Sequence, residues 1–167
     1  TAEIAVEASL TGHQVLSTMH CNDAPGAVSR LDDMGIAPFL IASSVILSCA
    51  QRLMRRVCPA CKEPVQYGEK IFRDLGMDQS HFQGVQLFRG RGCDRCKGSG
   101  YAGRTAILEL MPISNDVHRL IIQRASAQEI GRVAVDEGMH TLRMAGLAKV
   151  REGVSTLEQV LFCTAAH

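Results

Sequence analysis

The residues with the most evident chemistry are cysteines, at positions Cys21, Cys49, Cys58, Cys61, Cys93, Cys96 and Cys163. Four of them form two C-x-x-C pairs, Cys58-Pro-Ala-Cys61 and Cys93-Asp-Arg-Cys96; the other three are isolated. A two-residue spacer lets both thiolates of a tight turn face one ion, and two such turns complete a tetrahedron suited to zinc. An odd cysteine count with no secretory leader in the given sequence is a poor disulfide framework. Pro59 stiffens the first turn, and Gly92, Gly98 and Gly100 surround the second, where they permit backbone N–H groups to aim at sulfur. A four-thiolate site is closed, so its predicted role is to hold the fold and not to catalyse. A redox role for the C-x-x-C pairs is the competing chemistry. Thirty-one residues lie between Cys61 and Cys93, which predicts an excursion that folds between the two turns.

The histidines form the second feature. His13 and His20 frame the segment His13–Met19, which reads as a strand. Seven residues at about 3.3 Å each separate the two rings by about 23 Å if the strand is extended, too far to share one small ligand within a subunit. His20 lies at the carboxyl end, where open α/β sheets bind ligands, beside Thr18, Asn22 and Asp23. An ordinary hydrogen-bonded loop histidine is the alternative reading. The chain contains no G-x-x-x-x-G-K-[ST], no G-x-S-x-G and no H-E-x-x-H. Gly98-Ser-Gly-Tyr-Ala-Gly103 follows a cysteine turn and lacks the strand–turn–helix setting of a phosphate loop.

The elements that must position these residues follow from caps and periodicity. Thr1–Leu10 reads as a helix capped by Thr1 and ended by Thr11-Gly12. Asp23 caps a second helix over Ala24–Met34, with Pro25 in its first turn and Gly35 as its stop. Pro38–Cys49 is apolar and reads as a buried helix, followed by an extended, basic Ala50–Val57. Gly103–Met111 reads as a strand returning to the main body. Four helical segments follow, over Asn115–Arg124, Ala127–Glu137, Met139–Glu152 and Ser155–Phe162. Ser114 and Ser126 cap the first two, and Ser126-Ala-Gln-Glu129 and Ser155-Thr-Leu-Glu158 have the capping-box form.

The 167 residues, 46% apolar and 21% charged, are enough for a packed core and exclude wholesale disorder. Eighteen Lys and Arg against seventeen Asp and Glu give +1, which argues against a dedicated binder of nucleic acid or anionic membrane. Aromatics at 4% with no Trp make a base-stacking platform a poor fit. No apolar run reaches the roughly 20 residues of a transmembrane segment.

The run Leu10-Thr-Gly-His-Gln-Val-Leu-Ser-Thr-Met-His-Cys-Asn-Asp-Ala24 resembles the histidine box of the hexameric secretion ATPases of type IV pilus assembly and type II secretion. The resemblance continues, in order, through Arg30–Gly35, Pro38–Ser44, Ala50–Leu53, the tetracysteine segment, Gly100–Thr105, Gly138–Arg143 and Glu152–Leu161. It implies an α/β fold: the C-terminal part of a RecA-like P-loop ATPase domain, with a tetracysteine zinc-binding insertion and a C-terminal helical bundle. The implied division is residues 1–57 for the ATPase core with the histidine box, 58–103 for the insertion, and 104–167 for the return strand and helical subdomain.

By this resemblance Cys58, Cys61, Cys93 and Cys96 are the ligands of a structural Zn2+. His20 orients the γ-phosphate of ATP, and His13 is a second candidate on the nucleotide side. Arg52, Arg55, Arg56 and Arg104 are candidate intersubunit or nucleotide-side cations, or else solvated surface charges. Cys21 stands where a threonine is usual and Cys49 where a small apolar residue is common, so both are expected to be unligated. The resemblance implies a chain that begins just after Walker B, so that Walker A, Walker B and the catalytic glutamate lie outside it and these residues alone are inactive. ATP and Mg2+ then belong to the full-length parent, a cytoplasmic homo-hexamer peripheral to a bacterial inner membrane, where its partner is a platform protein. A stand-alone zinc-binding protein-interaction module is the alternative.

Overall fold

The computed structural model describes residues 1–165. In chain order the helices are α1 (Ala2–Leu10), α2 (Ala24–Asp33), α3 (Pro38–Ser44), α4 (Glu69–Asp74), α5 (Asn115–Ile122), α6 (Ala127–Asp136), α7 (Leu142–Arg151) and α8 (Leu157–Thr164). The strands are β1 (Leu47–Val57), β2 (Lys62–Val65), β3 (Leu87–Gly90) and β4 (Tyr101–Pro112). β1 pairs with β4, and β2 with β3. Single 3-10 turns occupy Gln79–Phe82 and Asp94–Cys96.

The chain divides into two compact units. One comprises Thr1–Ala50 with Leu108–Thr141, and the other comprises Gln51–Ile107 with the chain from Leu142 onward. The division cuts both long strands, after Ala50 in β1 and after Ile107 in β4.

In the first unit α2 packs on α6, and α3 on α5. Its buried residues include Val28, Ile36, Ile41, Met111, Val117, Ile121 and Ile130. The start of α2 forms as its sequence dictates. The Asp23 carboxylate accepts the Gly26 N–H at 2.8 Å, and Pro25 sits in the first turn, where its missing donor costs nothing. Ala24, only 1% exposed, is held on both sides. Its N–H donates to Glu109 Oε1 at 2.7 Å, and its carbonyl accepts from Ser48 Oγ at 2.8 Å. Glu109 of β4 and Ser48 of β1 thus fix the residue at which the histidine-bearing segment becomes helix.

In the second unit α7 packs on α8, over Met54, Val57, Ile107, Val150, Leu157 and Val160. The excursion between the cysteine pairs is the β2–β3 ribbon, antiparallel with Lys62 opposite Gly90 and Val65 opposite Leu87. α4 and a 3-10 turn join its strands. Phe72, Leu75 and Phe82 form its small interior, with the two rings 6.0 Å apart. Arg143 of α7 secures it by donating to the Leu75 carbonyl at 3.1 Å.

Three expectations are corrected. His13–Met19 has no regular secondary structure, and Leu16 is 88% exposed. A strand exists through its neighbours' hydrogen bonds, and among the described residues neither sheet includes this segment. Pro38–Cys49 is not one helix. α3 stops at Ser44, where the Ser43 and Ser44 hydroxyls bond back to Phe39 O and Leu40 O, and Val45 takes up extended backbone. Val45 and Ile46 lead into β1, in which Ser48, Ala50, Met54 and Val57 are buried. The last helix is capped by Thr156 and not Ser155. Ser155 is fully buried and donates its hydroxyl to Arg55 O at 2.8 Å, leaving Thr156 Oγ1 to accept the Gln159 N–H.

Replacing Glu109 by Ala strands the buried Ala24 N–H, and is expected to cost about 1–3 kcal/mol. Glu109→Gln keeps an acceptor oxygen and should cost less. Urea unfolding of the two variants checks the order; equal midpoints would show that the Ala24 bond contributes nothing.

Candidate metal centre

The C-terminal end of β1 delivers Cys58, and the chain turns through Pro59 and Ala60 to Cys61, whose N–H returns to the Cys58 carbonyl at 3.3 Å. The second pair lies beyond β3. There Cys93 opens the 3-10 turn, and the N–H groups of Cys96 and Gly98 both donate to the Cys93 carbonyl. Cross-links between the turns bring the pairs together: Cys58 N–H donates to Gly100 O at 2.9 Å, and Arg91 N–H to Cys61 O at 3.0 Å.

That approach is possible only with glycine. A Cβ on Gly90 would overlap the Gly100 carbonyl, and one on Gly100, at φ +75°, would lie 2.5 Å from the Gly90 oxygen. Gly92, at φ +96°, adopts backbone that other residues rarely enter, and a Cβ there would meet Gly98 O at 2.7 Å.

The four Sγ atoms all lie within 4.8 Å of one another. Individual separations are 4.0 Å for Cys58–Cys93, 3.8 Å for Cys61–Cys96 and 3.7 Å for Cys93–Cys96. A tetrahedron with Zn–S bonds of about 2.3 Å has edges of about 3.8 Å, so the sulfur cage matches the ion in size. Among the described residues this is the group of His, Cys, Asp or Glu ligand atoms able to hold a metal ion.

Backbone donors complete the environment: Gly92 N–H to Cys61 Sγ at 3.3 Å, Cys93 N–H to Cys96 Sγ at 3.2 Å, and Gly100 N–H to Cys96 Sγ at 3.3 Å. Such bonds favour thiolate over thiol. Their effect is divided between the thiols. Burial, with the neighbouring thiols, pushes Cys61 up to about 12 against the Gly92 N–H. Burial also raises Cys96, but the Cys93 and Gly100 N–H groups outweigh it and bring it down to about 6. Four thiolates this close repel one another, and a cation between them removes the conflict.

The other sequence candidates stand apart from this cluster. His13 is exposed, with Nδ1 3.2 Å from Thr11 Oγ1 and 3.3 Å from Ala8 O. His20 is exposed on the irregular segment that leads to Asp23 and α2. Burial raises the Cys21 thiol, opposed by Arg30. Cys163 is likewise raised by burial, opposed by Arg52 and Arg55, and its thiol donates to Leu53 O. Cys49 is exposed. Arg55, Arg56 and Arg104 are exposed as well. Sequence reasoning missed Ser48 and Glu109. A period-two reading of β4 finds the second, because Glu109 falls on the buried face between Ile107 and Met111.

A sequence profile of the family described as "Type II/IV secretion system protein" matches residues 1–162. The chain is similar to the "Type IV pilus assembly ATPase PilB" of Thermus thermophilus, at 47% identity over 161 residues, covering 96% of this chain and 18% of that protein. It is 49% identical over 166 residues to the protein of the same name from Myxococcus xanthus, covering 99% of this chain and 29% of that one. It is 50% identical over 164 residues to the "Type II secretion system protein E" of Pseudomonas aeruginosa, covering 98% and 32%. The chain thus spans about a fifth to a third of the length of these curated relatives.

The cluster is expected to take up about one Zn2+ or Co2+ per chain, with four thiols protected from alkylation and, for cobalt, a thiolate-to-metal charge-transfer band. Cys58→Ser should abolish that band. Full alkylation of the metal-loaded protein at native rates would refute the site.

Proposed function

The chain belongs to the type II/IV secretion system protein family, and from that premise we propose that it is the C-terminal part of the RecA-like ATPase domain of a motor for type IV pilus assembly or type II secretion. In the whole protein, a homo-hexamer at the cytoplasmic side of a bacterial inner membrane, ATP hydrolysis with Mg2+ drives domain rotation that is passed to a platform protein. No described helix is long and apolar enough to cross a membrane. The observation that carries this reading is the match over almost the entire chain to relatives named as pilus-assembly ATPases and secretion proteins.

Within that motor we assign residues 1–57 to the ATPase core, 58–103 to a zinc-binding insertion and 104–167 to the return strand and helical subdomain. Zn2+ held by Cys58, Cys61, Cys93 and Cys96 supplies folding energy to the insertion; four thiolates leave it no open position for chemistry. His20 is the candidate to orient the γ-phosphate, with His13 ranked behind it. Its position supports the role: it lies four residues before Ala24, which Glu109 and Ser48 hold at the start of α2. Phosphoryl transfer also needs a phosphate cradle, Mg2+ ligands and a group that positions water. Residues 1–167 contain no P-loop sequence, so these parts must come from elsewhere in the protein.

The 167 residues alone should therefore show no ATP turnover above background. In the whole protein, His20→Ala should lower kcat by about 10²-fold, the scale for losing one donor to a developing charge. Steady-state phosphate release by both proteins measures this. Zinc-loaded turnover by the 167 residues, or full activity of the His20 variant, would sink the assignment.

A further inference from the structure

The start of α8 is held by polar contacts that it does not make by itself. Ser155 and Thr156, the two residues before the helix, are both buried. The Ser155 hydroxyl donates to the Arg55 carbonyl at 2.8 Å, and the Arg55 N–H donates to Gln159 Oε1 at 3.2 Å. Beside them the Val57 N–H donates to the Val154 carbonyl at 2.9 Å. Arg55 and Val57 belong to the last three residues of β1, which ends where Cys58 begins the first cysteine turn. The Thr156 hydroxyl accepts the Gln159 N–H and lies 2.9 Å from the hydroxyl of Tyr101.

Both supports stop one residue short of the sulfur cage. Val57 adjoins Cys58 directly. Tyr101 follows Gly100, whose N–H donates to Cys96 Sγ at 3.3 Å and whose carbonyl accepts the Cys58 N–H at 2.9 Å. Gly100 therefore touches both cysteine pairs, and its neighbour touches the cap of α8. A third tie comes from the excursion, where Tyr67 donates its hydroxyl to Glu158 Oε2 at 2.9 Å. Burial and the Glu158 carboxylate push the Tyr67 hydroxyl up, so it keeps its proton and remains a donor.

Four thiolates without a cation repel one another, and the two cysteine turns separate until the charges are hydrated or protonated. Gly100 and Cys58 cannot both follow their own pair and keep the bond between them. Tyr101 and Val57 move with them, and the buried hydroxyls of Ser155 and Thr156 lose the partners that offset their burial. Such groups regain partners only by reaching water, which opens the first turn of α8. With eight residues, α8 is too short to persist without its cap and its packing. Near its end the Cys163 thiol donates to the Leu53 carbonyl at 3.5 Å, a contact that survives only while the helix stays docked.

We propose that metal occupancy at Cys58, Cys61, Cys93 and Cys96 controls the docking of α8, through Tyr101 on Thr156 and through Val57 and Arg55 on residues 154–159. The bound ion latches the helix, and its loss releases the helix and uncovers Cys163. Tyr101 is the positioning residue of this latch, since it is one bond from the cage and one hydrogen bond from the cap. The latch rests on the zinc assignment and is independent of the motor reading. It makes the zinc insertion a device that reports metal loss to the helical subdomain, in addition to a fold held by its ion.

Amide hydrogen exchange of the 167-residue chain, zinc-loaded and then stripped with a chelator under reducing conditions, tests it. Stripping should speed exchange in α8 by about tenfold or more, the scale of losing buried hydrogen bonds, while α5 and α6 of the other unit keep their protection. Returning Zn2+ should restore α8. Alkylation of Cys163, followed by peptide mass, should accelerate on stripping in parallel. Tyr101→Phe keeps the ring and removes the hydroxyl; it should leave the zinc content unchanged and still speed α8 exchange in the loaded chain. A loaded chain whose α8 exchange is indifferent to stripping, or a Tyr101→Phe variant with native α8 protection, would overturn the latch and leave the zinc site standing. Uniform loss of protection in both units would overturn it too, as general unfolding. A chain that takes up no zinc at all would defeat the latch and the zinc assignment together.

Discussion

Two tight turns separated by thirty-one residues are held with their four sulfurs inside 4.8 Å, and the unit they belong to is built around that constraint. The turns must approach until backbone meets backbone at Gly90 and Gly100, and they must enter left-handed conformation at Gly92, Lys97, Gly98 and Gly100. Each non-glycine residue in that region carries strain, and Lys97, at φ 52°, bears it here. The excursion's interior of Phe72, Leu75 and Phe82 is too small to hold such a geometry by apolar burial alone. Structural zinc contributes about 10–16 kcal/mol in small peptide domains, roughly five times one buried side chain. A metal ion is the interaction on the right scale, and the protein directs its own N–H groups at the sulfurs that would bind it.

The first unit depends on ordinary packing, with one polar exception. Ala24 uses both of its backbone groups on side chains from β1 and β4, so the residue after the Asp23 cap cannot shift without breaking its bonds to Glu109 and Ser48. The helix start is therefore fixed from within the core as well as by its own cap. Residues 13–20 of the upstream segment are exposed.

What was legible in the sequence was whatever is decided locally. The Asp23–Pro25 start of α2, the Ser114 cap and the Ser126–Glu129 capping box formed as read, because a cap needs only its own first turn. The cysteine spacing was legible for the same reason: two residues set the turn, whatever the excursion does. The failures were decided at a distance. Ser155 and Thr156 are equally good caps in isolation, and the Arg55 carbonyl, one hundred residues away along the chain, takes the first and leaves the second. His13–Met19 has the composition of a strand, but no sheet among the described residues contains it. Glu109 was concealed by its chemistry, since a carboxylate in an apolar strand reads as outward until its partner, eighty-five residues away, is known.

Charge shows the same difference between local and assembled information. As a sum over the chain, +1 argues against a partner selected by charge. The sum does not follow the fold, because each unit is made from two separated stretches of sequence. Once residues are grouped as the chain groups them, the unit of Thr1–Ala50 and Leu108–Thr141 carries four Lys and Arg against ten Asp and Glu, a net of −6, and the other unit fourteen against seven, a net of +7. Screening acts over about 8 Å at physiological salt, so a partner responds to the charges of the surface it touches and not to the total. Arg91, Arg95 and Lys97 are exposed in the basic unit, and Asp23, Glu109 and Asp136 line one groove of the acidic unit, so each surface carries its own sign whatever the total. Net charge excludes a class of partner only when it is taken over the body that would meet that partner.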